Sequence, residues 1–131
     1  MSLGRVLALD VRRHAAARPR ALAVRDAAGD HTWAELDRLA DLAAAGLQAA
    51  GVAPGDRVAL VATPSAGAIA LLVAIGRTGA VAVPIGTRLA RPEVAAAVAA
   101  TRPALLVHDP DLDALAAGHG VPALQPAALV A

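Results

Sequence analysis

Apolar and polar residues recur along this chain in a pattern that predicts alternating strands and helices. Continuous apolar runs are typical of strands covered on both faces, as in a parallel sheet, and they span residues 57–62, 80–85, 104–108 and 121–124. Helical periodicity or a proline-led start predicts intervening helices over residues 65–78, 92–101 and 111–117. This alternation predicts an α/β fold with a mostly parallel sheet and helices on both faces.

The N-terminal quarter has a different pattern. Apolar residues at helical spacing predict a helix over residues 3–17, and two short runs at 21–25 and 31–32 flank a turn and predict a hairpin. Thr32 and Glu35 have the spacing of a capping box, and Gly51 suits the left-handed position after a helix. The sequence therefore predicts a well-defined helix between Thr32 and Gly51.

Composition limits the class of protein. A chain of 131 residues is the size of one domain. It is 57% hydrophobic but only 1% aromatic, so aliphatic side chains must build the core. The longest apolar stretch, residues 66–76, is shorter than the ~20 residues that span a bilayer. It predicts a buried helix with other structure outside it, and no membrane span.

Charge and cysteine content exclude several further classes. The net charge is +1, and the basic residues are all arginine, dispersed along the chain, which argues against a nucleic-acid binder. The absence of cysteine excludes disulfides and thiolate catalysis. It also fits a reducing compartment, and the start of the chain is unlike a secretory signal. We therefore expect a cytoplasmic protein.

Several adjoining segments resemble the opening of adenylate-forming enzymes, the family of AMP-dependent acyl-CoA synthetases. They are the Trp-x-Glu-Leu helix start at Trp33, the turn and strand "GVAPGDRVAL", and the segment "GRTGAVAVPI" followed by an arginine-proline helix start. Their order and spacing cover residues 31–107. The chain departs from the family pattern after Pro64, where an asparagine is common and Ser65 stands here.

This resemblance implies that residues 1–131 are the N-terminal part of the large domain of an acyl-CoA ligase. Such an enzyme activates a carboxylate with ATP and Mg²⁺ and then transfers it to coenzyme A. The family's phosphate loop and C-terminal lysine are absent from these residues, which include no lysine. The resemblance thus implies that this chain alone holds no cofactor or catalytic residue and needs the rest of the enzyme or a complementary chain, with self-association as another option.

Two other functions stay open at this stage. The chain is also consistent with a standalone noncatalytic α/β module that docks a protein partner. A small nucleotide-binding protein is the third reading, with the loop "ATPSAGA" holding a phosphate at a helix start. That loop lacks the G-x-G-x-x-G pattern that lets a backbone approach pyrophosphate.

Three arginines lie close together in the sequence. Arg77 ends an apolar helix, where it would complement the terminal carbonyl groups. Arg91 precedes Pro92 as a helix-start residue. Arg88 lies beyond the strand at 80–85, at the sheet edge where open α/β folds bind ligands. The resemblance implies that Arg88 is a cofactor-binding residue that contacts the 3′-phosphate of coenzyme A.

The remaining polar candidates favour structural roles. Asp109, Asp111 and Asp113 resemble half of a calcium loop, but the glycine and glutamate that complete such a loop are missing. Ser65 follows a strand as a hydrolase nucleophile does, without the G-x-S-x-G pattern. The four histidines lack the spacing of metal ligands, so no metal site is predicted; they are His14, His31, His108 and His119.

Overall fold

The computed structural model describes residues 3–130 and shows the alternation that the sequence predicts. The helices are α1 Leu3–Ala17, α2 Trp33–Ala49, α3 Ala66–Arg77, α4 Arg91–Thr101, α5 Asp113–Ala116 and α6 Pro126–Val130. The strands are β1 Leu22–Asp26, β2 Gly29–Thr32, β3 Arg57–Val61, β4 Val81–Pro84, β5 Leu105–His108 and β6 Ala123–Leu124. A 3₁₀ turn, Pro110–Leu112, precedes α5.

The strands form a parallel sheet and a separate hairpin. The parallel sheet has the order β4-β3-β5-β6, and β1 pairs with β2 in the antiparallel hairpin. In the central register Ala59 lies beside Val83 on one side and Leu106 on the other. The α/β fold class and the hairpin are confirmed.

Element boundaries differ from the predicted ones in a few places. The hairpin turn is tighter than expected, because the strands continue to Asp26 and Gly29. The helix predicted at 111–117 is divided, since Leu112 has φ −105° and ψ 14°, outside helical geometry. The strand predicted at 121–124 forms only over Ala123–Leu124, and α6 follows it without having been predicted.

Helices cover both faces of the parallel sheet. On one face α2, α3 and α6 pack around Leu47, Ile75 and Leu129, and on the other α4 and α5 pack around Val94 and Ala116. A third apolar cluster lies away from the sheet, among α1, α2 and α3. Because α3 is enclosed in this way, none of its side chains is exposed. The prediction of a buried helix with other structure outside it is therefore confirmed.

Both predicted ends of α2 are confirmed. The Thr32 hydroxyl accepts a hydrogen bond from the Glu35 amide, and the Glu35 carboxylate accepts one from the Thr32 amide, which completes the capping box. Gly51 has φ +93°, and the next amide, Val52, donates to the Leu47 carbonyl. Only a residue without Cβ adopts this left-handed turn cheaply.

Candidate functional site

The carboxyl ends of β3, β4 and β5 bring three loops to one edge of the parallel sheet. The Thr63 amide donates to Asp109 Oδ2 over 2.7 Å, which joins the loops that follow β3 and β5. The Asp109 amide in turn donates to the Val61 carbonyl over 3.1 Å. Asp109 therefore connects the two loops. Its carboxylate has a structural role, as the sequence analysis favoured over a calcium loop.

Arg88 lies in the third loop, which follows β4. This loop turns at residues 86–89, where the Leu89 amide donates to the Gly86 carbonyl over 3.4 Å. The Leu89 side chain packs into the core on the α4 side, while Arg88 is exposed. Within residues 3–130, no hydrogen bond or ion pair engages the Arg88 guanidinium. A planar guanidinium at this edge is a donor for a phosphate or carboxylate of a ligand.

The start of α3, the other proposed anion site, is already occupied by side chains of this chain. Ser65 Oγ accepts the Ala68 amide over 3.0 Å, and Asp26 Oδ2 accepts the Ala66 amide over 2.9 Å. His31 Nε2 lies 3.0 Å from the other Asp26 oxygen. The Ala66 hydrogen bond, followed by that of His31, lowers the pKa of Asp26 to about 2. A phosphate on the "ATPSAGA" loop would have to displace this carboxylate.

Arg77 has a structural role, but with different partners from those predicted. Its guanidinium donates to the Asp37 carboxylate, to the Asp37 carbonyl over 3.0 Å and to the Asp41 carboxylate over 3.0 Å, all on α2. Arg12 of α1 binds the same two carboxylates. The four side chains therefore connect α1, α2 and α3. The prediction that Arg77 serves the terminal carbonyls of its own helix is wrong.

Arg91 and Ser65 lie where their local sequences place them. Arg91 opens α4 ahead of Pro92, as predicted, and its Nη1 also donates to the Ala114 carbonyl of α5 over 2.8 Å. Ser65 is the N-cap of α3. In the described part of the chain, no three histidine, aspartate or glutamate side chains come together as metal ligands.

The histidines make local contacts. His14 stacks on Trp33 with ring centroids 4.6 Å apart, and His119 Nε2 lies 2.9 Å from the Leu115 carbonyl. His108 is buried, with Nδ1 2.8 Å from the Asp109 carbonyl and Nε2 3.6 Å from the Asp113 carboxylate. Each of these three rings therefore has a contact within this chain.

A cleft of about 280 Å³ lies away from the sheet edge, between the hairpin, α2 and the start of α3. Its lining is mainly apolar with charged groups at the rim, and comprises His31, Glu35, Leu36, Arg38, Leu39, Leu42 and Ala66. Sequence reasoning did not find it, because its walls come from three elements. The exposed Leu42 within an otherwise regular amphipathic helix was the available signal.

Comparison with known proteins decides the family. A family model described as AMP-binding enzyme matches residues 11–129. The chain belongs to the AMP-binding enzyme family. It is 43% identical over 111 residues to a feruloyl-CoA synthase from an Amycolatopsis species, a match that covers 82% of this chain and 23% of that relative.

Solved structures in this family have the same architecture. A fatty acyl CoA synthetase from Mycobacterium tuberculosis superposes with a TM-score of 0.84 at 28% identity, over 94% of this chain and 27% of that one. The N-terminal domain of FACL13 from the same organism gives 0.83 at 30% identity, over 94% of this chain and 34% of that domain. The chain thus spans about a quarter of the length of the curated relative it matches.

The length and polarity of the helices bear on whether the chain can cross a membrane. Among residues 3–130, every helix is too short or too polar to cross a bilayer.

Asp26 is a residue of the candidate site that the sequence did not reveal. The aspartate before the hairpin turn is a visible signal, since it also accepts the Ala28 amide. Its more distant partner at α3 has no local signature.

Proposed function

We propose that this chain is the N-terminal part, residues 1–131, of the large domain of an acyl-CoA synthetase. The complete enzyme would activate a carboxylic acid with ATP and pass the acyl group to coenzyme A. The observation that supports this most is the 43% identity to a feruloyl-CoA synthase over 82% of the chain. The cysteine-free composition supports a cytoplasmic enzyme.

ATP and Mg²⁺ do not fit the loops of this chain. The first amides of α3 are bound by Asp26 and Ser65, and residues 3–130 hold no group of three metal ligands. The sequence also offers no lysine for the phosphates. We infer that segments beyond these residues hold the nucleotide, and that the chain by itself does not catalyse acid-dependent exchange of pyrophosphate with ATP.

Coenzyme A fits one residue, Arg88. The Arg88 side chain is exposed at the carboxyl edge of the sheet, and no other described side chain forms a hydrogen bond with its guanidinium. Coenzyme A would supply the thiol that accepts the acyl group, and Arg88 would bind its 3′-phosphate. A charge-assisted hydrogen bond contributes about 1.5–3 kcal/mol, and 1.4 kcal/mol is about a factor of ten in affinity.

A chimera tests the proposed function. The matching segment of the feruloyl-CoA synthase would be replaced by this chain, with the parent segment rejoined through the same junctions as the control. We expect ferulate-dependent pyrophosphate exchange and feruloyl-CoA formation. A folded, soluble chimera that does neither would contradict the ligase assignment and favour a noncatalytic docking module.

Arg88→Ala in the active chimera tests the cofactor contact. We expect the KM for coenzyme A to rise by on the order of tenfold while the rate of pyrophosphate exchange stays unchanged. Dephospho-coenzyme A should be used equally by both proteins. Arg13→Ala, on the exposed side of α1, is the matched control. A slower exchange reaction with unchanged coenzyme A dependence would show that Arg88 does not bind this phosphate.

A further inference from the structure

An exposed stripe follows the outer side of α2. Glu35, Arg38, Leu42 and Ala45 are all exposed, and their spacing of three or four residues places them on one helix face. Leu42 is 46% exposed, although buried residues of α2 pack on the core one turn away. Because Leu42 also lines the apolar cleft of about 280 Å³, it is part of a larger apolar surface of the kind that partners cover.

Two apolar hollows lie beside the stripe. One is the cleft of about 280 Å³ beside His31 and Ala66, the other has a volume of about 130 Å³, and Leu39 lines both. The second hollow extends to Val130 on α6, which is 37% exposed. The two hollows therefore offer space for apolar side chains from another molecule, next to the charged groups of the stripe.

The charges of the stripe on one copy are complementary to those of an antiparallel stripe on a second copy. Glu35 and Arg38 carry opposite charges three positions apart on the same face. Glu35 contributes one oxygen to the helix cap, 3.4 Å from the Thr32 amide. Arg38 has no hydrogen-bond or ion-pair partner among the described residues. If two α2 helices lie antiparallel about an axis midway between positions 35 and 38, each Glu35 faces the Arg38 of the other copy.

The same arrangement places the apolar groups correctly. It moves Leu42 of each copy toward the end of the other copy's cleft, where His31 and Ala66 form the wall. We propose that a second copy of this chain docks on this face, through two Glu35–Arg38 pairs around exchanged Leu42 side chains. Such a two-fold contact uses one patch twice, so two charges that pair across it must both lie within that patch.

A second copy fits the charges of this surface better than a partner of one predominant charge does. A strongly acidic or basic partner would meet one complementary and one repelling charge here. The net charge of +1 also leaves little long-range repulsion between copies. The proposal concerns the surface of this chain, and its test does not depend on ligase activity.

Sedimentation velocity of the 131-residue chain tests the proposal over a wide concentration range, with circular dichroism as the check on folding. We expect a monomer–dimer equilibrium that Arg38→Glu and Glu35→Arg each weaken by on the order of tenfold, since two attractive pairs become repulsive. An equimolar mixture of these two variants should recover the dimer, because each reversed charge then meets an opposite one. Arg13→Glu makes the same change of charge on α1 and should have no effect.

The possible outcomes separate clearly. A wild-type chain that stays monomeric at all concentrations overturns the proposal. So does a dimer that Arg38→Glu leaves intact, or a mixture of the variants that remains monomeric while both are folded. Recovery in the mixture supports it even if Glu35→Arg lowers the stability of α2 by removing its cap.

Discussion

The contact between α6 and α2 depends on Gly46, which has no side chain. A Cβ built at Gly46 would lie 1.9 Å from the Leu129 carbonyl oxygen and 2.6 Å from its carbon. Real Cβ atoms do not approach backbone so closely, and backbone cannot move aside like a flexible side chain. Gly46→Ala should therefore push α6 away from α2 and withdraw Leu129, now 4% exposed, from the core.

The expected cost follows from two opposing contributions. Withdrawing a leucine side chain from the core costs about 1.5–3 kcal/mol. Alanine in a helix is favoured over glycine by roughly 0.5–1 kcal/mol, which offsets part of that loss. We therefore expect the free energy of unfolding to fall by about 0.5–2.5 kcal/mol.

Urea denaturation measures this change, with two companion variants. Gly67→Ala is the matched control, because its Cβ would have only Ser65 Oγ nearby, at an ordinary 3.7 Å. It should be neutral or stabilising by up to about 1 kcal/mol. Leu129→Ala should destabilise wild type but add little to Gly46→Ala. If Gly46→Ala is as stable as wild type, or if the two losses simply add, α6 is not anchored in this way.

Two further predictions concern the polar contacts. Arg77→Met should lower the free energy of unfolding by about 2–3 kcal/mol, because the Arg77 side chain is 10% exposed and its loss leaves Asp37 short of a partner. Arg12→Met changes a side chain that is 53% exposed and should cost under ~1 kcal/mol. If urea denaturation shows that the two variants lose the same free energy of unfolding, this reasoning is contradicted. The pKa of Asp26 is about 2 in the folded chain against an ordinary 3.8, so the unfolded chain binds the proton more readily. The contribution of the Asp26 carboxylate to the free energy of unfolding is therefore complete above pH 3.8 and is lost as the pH falls toward 2. The stability gap between wild type and Asp26→Asn should therefore narrow from pH 5 to pH 2, and a constant gap would show that the carboxylate charge is not responsible.

Local sequence was sufficient for the regular elements. The capping box at Thr32 and the left-handed Gly51 define α2 because both devices act within one turn of the helix end. The apolar runs identified β3, β4 and β5, since strands covered on both faces need apolar residues throughout. In each case the residues that decide the structure are near neighbours in the chain.

Features that depend on distant partners were not predictable in the same way. Arg77 meets Asp37 across 40 residues, and Asp26 meets Ala66 across another 40. The short α6 was missed because its anchor is Gly46, a residue of another helix. For the site, the sequence placed Arg88 at the carboxyl edge, and its role in binding coenzyme A stays a prediction.

The hydrogen bond between the Thr63 amide and the Asp109 carboxylate joins loops that are 46 residues apart. It holds two of the three loops at the carboxyl edge of the parallel sheet in place, so a ligand that binds at this edge meets them preorganised. The entropy lost on binding is then confined to the loop of Arg88, where ordering one long side chain costs roughly 0.5–1.5 kcal/mol. Substitutions in that one loop can alter ligand preference while the other two keep their shape.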